Sequence, residues 1–376
     1  AGNESGRQGD PMKHPLHIFS LSCLVLALTS CTPATSRKPA SNPMRMDGGE
    51  TQAVGLVASD RSPVSDNAVW CGSFQICWNM AGETIGAGSQ LTPLEPNALA
   101  DELNSSGFSA ESLGDEYCYV YAGPATQSAR LRIAQGIEQR FHQESDILDK
   151  LTWYEDADPD AGMLFYTMLY REFSYEEPFE YLEPADFGST ANGNRSSGVL
   201  YFGAKAGDTA LGQVSPLYYE DEDHFAAIIY TPGGDVLVLV RSPEGTTFQE
   251  MWENAFVRER AYRPLEVDSF ACPCLDLDIV QEFEQLKGIV LVAEDGSVWP
   301  VADAIQTVRL SLDAHGGVVE SEAAHANTAE RPDEDPLHID LVFDDSFALF
   351  LVDSGPGRFE PYLGVLVDDV TAYQAR

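Results

Sequence analysis

The sequence predicts an α+β fold built on large antiparallel or mixed sheets, and three observations carry the prediction. Runs of alternating polar and apolar residues, such as Gln306-Thr307-Val308-Arg309-Leu310-Ser311-Leu312, recur in the second half of the chain and mark half-buried strands. Segments of helical period lie among them without a regular strand-helix-strand order, which argues against a doubly wound parallel sheet. With 376 residues, 44% of them apolar and 22% charged, the chain has the composition of a globular protein, and residues 67–376 read as one domain.

The N-terminus reads as an address. Residues 1–11 are polar and Gly-rich and are expected to lie upstream of the true start at Met12; Lys13 and an apolar run from Ile18 to Leu28 follow. That basic, apolar, small-residue order is a secretory signal, and the run is too short to remain as a membrane span. It ends in Leu28-Thr29-Ser30-Cys31, which resembles a bacterial lipobox. The resemblance implies cleavage before Cys31, a diacylglycerol on its thiol, and a lipid-anchored place at the bacterial cell envelope, exported from the cytoplasm. An ordinary cleaved signal is the alternative. Residues 1–30 are thus upstream residues and signal, and residues 31–66, rich in Pro, Ser, Thr and Gly without an apolar period, read as a flexible tether.

Within the domain, Asn67 to Gln90 is aromatic and apolar but shows no clear period. Ala129 to Lys150 is expected to be a helix, with Leu131, Ile133, Ala134, Ile137 and Phe141 on one face. Met163 to Tyr170 is a continuous apolar run, either a buried strand or a short buried helix. Strands are expected at Gly198 to Phe202, Phe225 to Tyr230 and Asp235 to Arg241, the last two joined by the turn Thr231-Pro232-Gly233-Gly234. Thr247 to Ala255 reads as helix, Pro264 to Cys274 as extended, and Leu277 to Leu286 as a short amphipathic helix. After Gln306 to Leu312 comes a long acidic loop, then dense strands from His338 to Val352 and from Glu360 to Val367.

Charge and motifs narrow the function. The net charge is −38, and residues 67–376 hold all of the excess, with 16 Lys plus Arg against 54 Asp plus Glu. Such a domain repels phosphate backbones, so nucleic acid is not an expected partner, while a basic protein would be welcomed. The seven cysteines include no C-x-x-C pair, which disfavours zinc ribbons. Cys71 with Cys77 is a candidate bridge, and Cys272 with Cys274 would share one face of a strand as small core residues. No H-E-x-x-H, G-x-S-x-G, P-loop or G-x-G-x-x-G is present, so neither an enzyme nor a cofactor is expected. Asp156-Ala157-Asp158-Pro159-Asp160-Ala161-Gly162 is the best metal candidate, but Ala161 and Thr167 stand where a calcium loop needs Gly and Glu, and a solvated acidic turn is the preferred reading.

Several local motifs resemble the serpins, in order, over roughly the last half of the chain. Met168-Leu169-Tyr170 with Pro178-Phe179 is similar to the family's buried strand and aromatic-x-x-Pro-Phe; Gly234 to Val240 resembles the strand after its mid-chain hairpin. Val267 to Phe270 with Leu277 to Gly288 resembles its extended segment and helix, Phe343 to Val352 its core strand, and Pro361 to Val367 its closing strand. The resemblance implies three sheets with a cluster of helices and an exposed C-terminal reactive-type loop, and a protease inhibitor rather than an enzyme. In inhibitors of this kind the cleaved loop enters a sheet as a new strand. Placed on this sequence, the loop contains Glu322, Ala323, Ala324, Asn327, Thr328, Arg331, Pro332, Asp333, Glu334, Asp335 and Pro336. The family's shutter His falls on Gln306 and its buried Asn on Thr167; the scissile bond falls near Asp335-Pro336, where Pro follows the cut as Pro332 follows Arg331. The expected partner is an extracellular or periplasmic serine-type protease. The alternative is a non-inhibitory binding module that offers its acidic loop or surface to a basic protein.

Overall fold

The computed structural model describes residues 54–85, 90–114, 117–158, 160–172, 174–188, 195–232, 234–258, 264–315, 335–353 and 359–374. The chain divides into two units, residues 1–43 and 44–376, and all described residues belong to the second. Cys31 and the apolar run before it lie outside the described residues.

The fold is α+β. The first sheet runs, edge to edge, Gly55–Val57, Ala68–Cys71, Pro361–Val367, Phe347–Asp353, Asp235–Arg241, His224–Tyr230 and Val214–Asp221. The second has Thr92–Pro93, Val290–Val292, Val298–Leu312, Met163–Glu172 and Cys118–Pro124, with Leu275–Glu282 also paired to the long strand Val298–Leu312. The third is Leu337–Val342, Leu265–Pro273, Tyr201–Lys205 and Glu180–Tyr181. Four α-helices are described: α1 (Ser73–Ile85), α2 (Ala98–Ser105), α3 (Gln127–Phe141) and α4 (Phe248–Val257).

The continuous apolar run at 163–170 is a strand because both of its faces are covered. Met163 and Phe165 pack in one cluster with Phe74, Trp78 and Ala81 of α1. Leu164, Tyr166 and Met168 pack in another with Ile133, Ile137 and Phe141 of α3. Alternation therefore sends apolar side chains both ways, and no polar position is left to show a period of two. Each such buried side chain contributes about 1.5–3 kcal/mol. Gly136 lets α3 approach the sheet closely, since a Cβ there would lie 2.1 Å from the Tyr119 ring.

Several expectations are corrected. The helix expected over 129–150 ends at Phe141, where His142 turns left-handed at φ 53°, and a separate 3-10 turn spans Asp146–Asp149. Its buried stripe is Ala129, Ile133, Ile137 and Phe141, spaced by four, while Leu131 is 58% exposed. The amphipathic helix expected at 277–286 is instead the strand Leu275–Glu282, with Leu275 and Leu277 buried and Asp276 and Asp278 exposed. Four residues of strict alternation there outweigh the helical spacing of Ile279, Phe283 and Leu286. The dense strand at 338–352 divides into Leu337–Val342 and Phe347–Asp353, which belong to different sheets. Strand 198–202 likewise divides at Leu200, after Gly198 at φ 73°. The aperiodic stretch at 67–90 holds a strand, Ala68–Cys71, and α1. Gly55–Val57, assigned to the tether, pairs parallel to Ala68–Cys71 at the sheet edge and buries Leu56.

The Cys71–Cys77 bridge is absent. Both thiols are free and buried: Cys71 Sγ donates to Ser73 Oγ (3.3 Å) and Cys77 Sγ to the Tyr121 carbonyl (3.1 Å). One sits on a strand and the other faces inward from α1, which turns them to different partners. Cys272 is buried as a small core residue, and Cys274 is half-buried.

Candidate functional site: the parallel seam and the segment that leaves it

The long strand and the strand Met163–Glu172 run side by side and parallel, in register from Val301 opposite Met163 to Ser311 opposite Glu172. Beyond Leu312 the chain enters residues 316–334, outside the described residues, so Glu322, Ala323, Ala324, Asn327, Thr328, Arg331, Pro332, Asp333 and Glu334 receive no placement. It returns at Asp335, which is exposed, and Pro336, which is half-buried. The next strand, Leu337–Val342, is the edge of the third sheet and lies parallel to Leu265–Pro273. The segment thus joins an interior strand of one sheet to the edge strand of another.

Both ends of the segment are fastened. On the departing side the Phe179 N–H donates to the Ala314 carbonyl (2.8 Å), the Tyr181 hydroxyl donates to Asp313 Oδ2 (3.2 Å), and the Tyr181 ring meets His315 edge-on at 5.3 Å. Burial, reinforced by the Asp313 carboxylate, pushes the Tyr181 phenol up to about 12. Beneath them Tyr175 packs against Phe179 (4.7 Å) and Phe202 (6.0 Å), its hydroxyl buried with no hydrogen-bond partner. On the returning side the Leu337 N–H donates to Pro264 O (2.8 Å). His338 Nδ1 lies 2.8 Å from Asp268, and Ser269 Oγ donates to Asp340 (2.5 Å).

Midway along the seam is a buried polar bridge. Gln306 and Thr167 are opposite neighbours on the two strands. Gln306 Nε2 donates to the Cys71 carbonyl (3.0 Å) and to Ser73 Oγ (3.0 Å), and Ser73 Oγ donates to Thr167 Oγ1 (3.3 Å). The first residue of α1 therefore holds both strands. Near the far end, Arg171 forms an ion pair with Asp235, which is 1% exposed, and its guanidinium lies 3.7 Å from the centre of the Tyr117 ring. Tyr362 donates to the same carboxylate (2.8 Å). That cluster ties the second sheet to the first.

The acidic turn at 156–162 serves α3. Asp156 Oδ1 accepts from the Ser128 N–H (2.9 Å), beside the Thr126 cap, and this bond holds its carboxyl below the usual range. Among the described residues no group of three His, Cys, Asp or Glu is placed to hold a metal. No described helix is long and apolar enough to cross a membrane. Sequence reasoning reached Gln306, Thr167, Phe179, Ala314 and Asp235 through motif resemblance but not their partners, and it missed Ser73, because these contacts join residues far apart in the chain.

No family model and no curated protein matches the chain. Among solved structures it is similar to a serpin from the trematode Schistosoma haematobium, at 15% identity and a TM-score of 0.46, covering 81% of this chain and 94% of that one. It is also similar to Serpin48 of the insect Tenebrio molitor (12% identity, TM-score 0.44, 81% and 92% covered). Tengpin, a thermophilic serpin in its native state, is matched at 11% identity and a TM-score of 0.47, covering 82% and 90%.

Proposed function

We propose that this is a serpin-type protein, exported and lipid-anchored through Cys31 at the bacterial cell envelope, that offers residues 316–336 as bait to a serine-type protease outside the cytoplasm. One observation carries the reading: the segment springs from the end of an interior strand that lies beside a parallel neighbour. A chain that reverses there runs antiparallel to both strands, so it can enter between them and form a ladder on each side, in the more stable pairing. Alternation in such a strand would place Ser321, Ala323, His325 and Asn327 on one face and Glu320, Glu322, Ala324, Ala326 and Thr328 on the other. The first face carries no carboxylate; the acids fall together on the opposite face, and because helices cover both faces of the seam over 163–168 their entry would cost stability.

Incubation with a panel of serine-type proteases tests it. The account expects an SDS-stable complex in which the protease serine is acylated by the segment's carbonyl, while the C-terminal fragment departs as the free amine of the broken peptide bond and stays in the fold through its strands until SDS separates it. Turnover without a stable complex, or no reaction with any member, contradicts it. For the anchor, Cys31→Ser should move the protein from the membrane fraction of a bacterial host to the soluble fraction, and unchanged fractionation would reject lipidation.

A second reading is a binding module that never inserts the segment. Asp333, Glu334 and Asp335 stand between Pro332 and Pro336, an acidic stretch suited to a basic protein and, with Pro after the cut, poor as a serine-protease cleavage site. Neutralising the three acids would abolish capture of that partner under this reading and leave protease complexes intact under the first.

A further inference from the structure

A strand that enters between two paired strands must part whatever joins them from outside, and the chain after α3 does join them. α3 ends at Phe141, and residues 142–145 lead into the 3-10 turn Asp146–Asp149. Phe141 packs on Tyr170 of the strand Met163–Glu172, with ring centres 5.9 Å apart. Arg309 of the long strand then donates through Nη1 to Gln143 Oε1 (3.2 Å) and to the Glu144 carbonyl (3.1 Å). Back on the first strand, the Tyr166 hydroxyl donates to Ser145 Oγ (2.8 Å). Three successive attachments thus fall on one strand, on its neighbour, and on the first again.

The attachment at Ser145 displaces a local one. Ser145 stands at the N-cap of the 3-10 turn yet makes no side-chain cap bond there, and its hydroxyl meets Tyr166 instead. The turn itself covers both strands, because Ile147 and Leu148 pack in one cluster with Leu164, Tyr166 and Met168 on one side of the seam and Ile305 on the other.

These contacts cannot stretch with the seam. Neighbouring strands lie about 4.8 Å apart, and a strand entering between them takes that spacing to about 9.6 Å. Arg309 Nε is held by Asp278 Oδ1 (2.9 Å) on the strand at its far side, so Arg309 moves away with its own strand. Ser145 stays with Tyr166. Glu144 and Ser145 are chain neighbours, with Cα atoms about 3.8 Å apart, and hydrogen bonds near 3 Å do not survive a widening of that size. One side has to let go. Arg309 also lies three residues nearer than Gln306 to the departure of the segment, so an entering strand reaches this contact before the bridge at Gln306.

We infer that residues 143–145 form a clasp across the seam that governs how fast the segment enters, with Arg309 and Tyr166 as its holds. Both are positioning residues, and neither has to touch a protease. The inference rests on the bait reading and adds the step that controls its rate.

To test it, a recognition site for a sequence-specific protease is placed between Glu330 and Asp335, the chain is cut, and the gain in heat resistance is followed with time. The double variant Gln143→Ala with Ser145→Ala should reach the same final Tm as the cut parent at least about threefold faster, while the uncut variant melts close to the uncut parent. Ser145→Thr keeps the hydroxyl and should enter at the parental rate, whereas Ser145→Ala alone should be faster. A clasp that only stabilised the fold would lower the uncut Tm and leave the rate of entry unchanged. A double variant that gains heat resistance at the parental rate, or a Ser145→Thr protein as fast as Ser145→Ala, would overturn the clasp while leaving the bait reading intact. A cut parent that never gains heat resistance is a separate result, which rejects the bait reading and the clasp with it.

Discussion

Gln306 shows how a single amide can hold a seam. Its Nε2 reaches the Cys71 carbonyl and Ser73 Oγ across a sequence separation of more than two hundred residues, in a site with no exposure. Truncation to Ala would leave a cavity and strip a buried carbonyl of its donor. The combined cost is about 3 kcal/mol. Urea unfolding of Gln306→Ala should register a loss of that order with an unchanged m-value, and a loss below about 1 kcal/mol would remove the bridge from the account. Position 306 itself was legible in the sequence as a polar residue on a strand. What it binds was not, because alternation reports which face a residue takes and carries no information on the partner waiting there.

At the scale of elements, the sequence was most readable where alternation was clean and least readable where burial was two-sided or patterns overlapped. Asp235–Arg241 and Pro361–Val367 were found at nearly their true bounds because each is a dense apolar run closed by polar or turn residues. Leu275–Glu282 was misread since Ile279, Val280, Phe283 and Leu286 also satisfy a helical spacing; the deciding evidence was the pairing with Val298–Leu312, which is a long-range fact. The contact between Arg171 and Asp235 joins two elements that sequence reasoning found separately and never linked. Arg171→Met should cost about 3–5 kcal/mol, because it leaves the Asp235 charge buried with Tyr362 as its remaining described hydrogen-bond donor. Adding Asp235→Asn should recover part of that loss in a double-mutant cycle. If the single variant melts like the parent, the ion pair does not tie the two sheets.

For the whole molecule, the sequence conveyed the α+β class and the order of strands toward the C-terminus, and the structure added the relation that matters for function. An interior parallel pair, fastened at one end by Phe179 and Ala314 and at its middle by Gln306, stands beside the departure point of residues 316–334. Insertion would part the two strands and replace one ladder by two, and the fastening contacts would have to be remade around the new strand. The excess of 54 acidic over 16 basic residues in 67–376 favours a partner with a basic surface and predicts association that slows as salt rises.

The most direct test is thermal. A recognition site for a sequence-specific protease is placed between Glu330 and Asp335, and melting is compared before and after the cut. A new strand of about ten residues gains ladder bonds at roughly 0.5–1.5 kcal/mol each, and each kcal/mol is worth about 2–4 °C in a domain of this order of size. The account predicts that the cut protein melts at least about 10 °C higher than the intact one. A Tm that stays the same or falls on cutting would mean that the segment does not enter the seam, and the central claim would be contradicted.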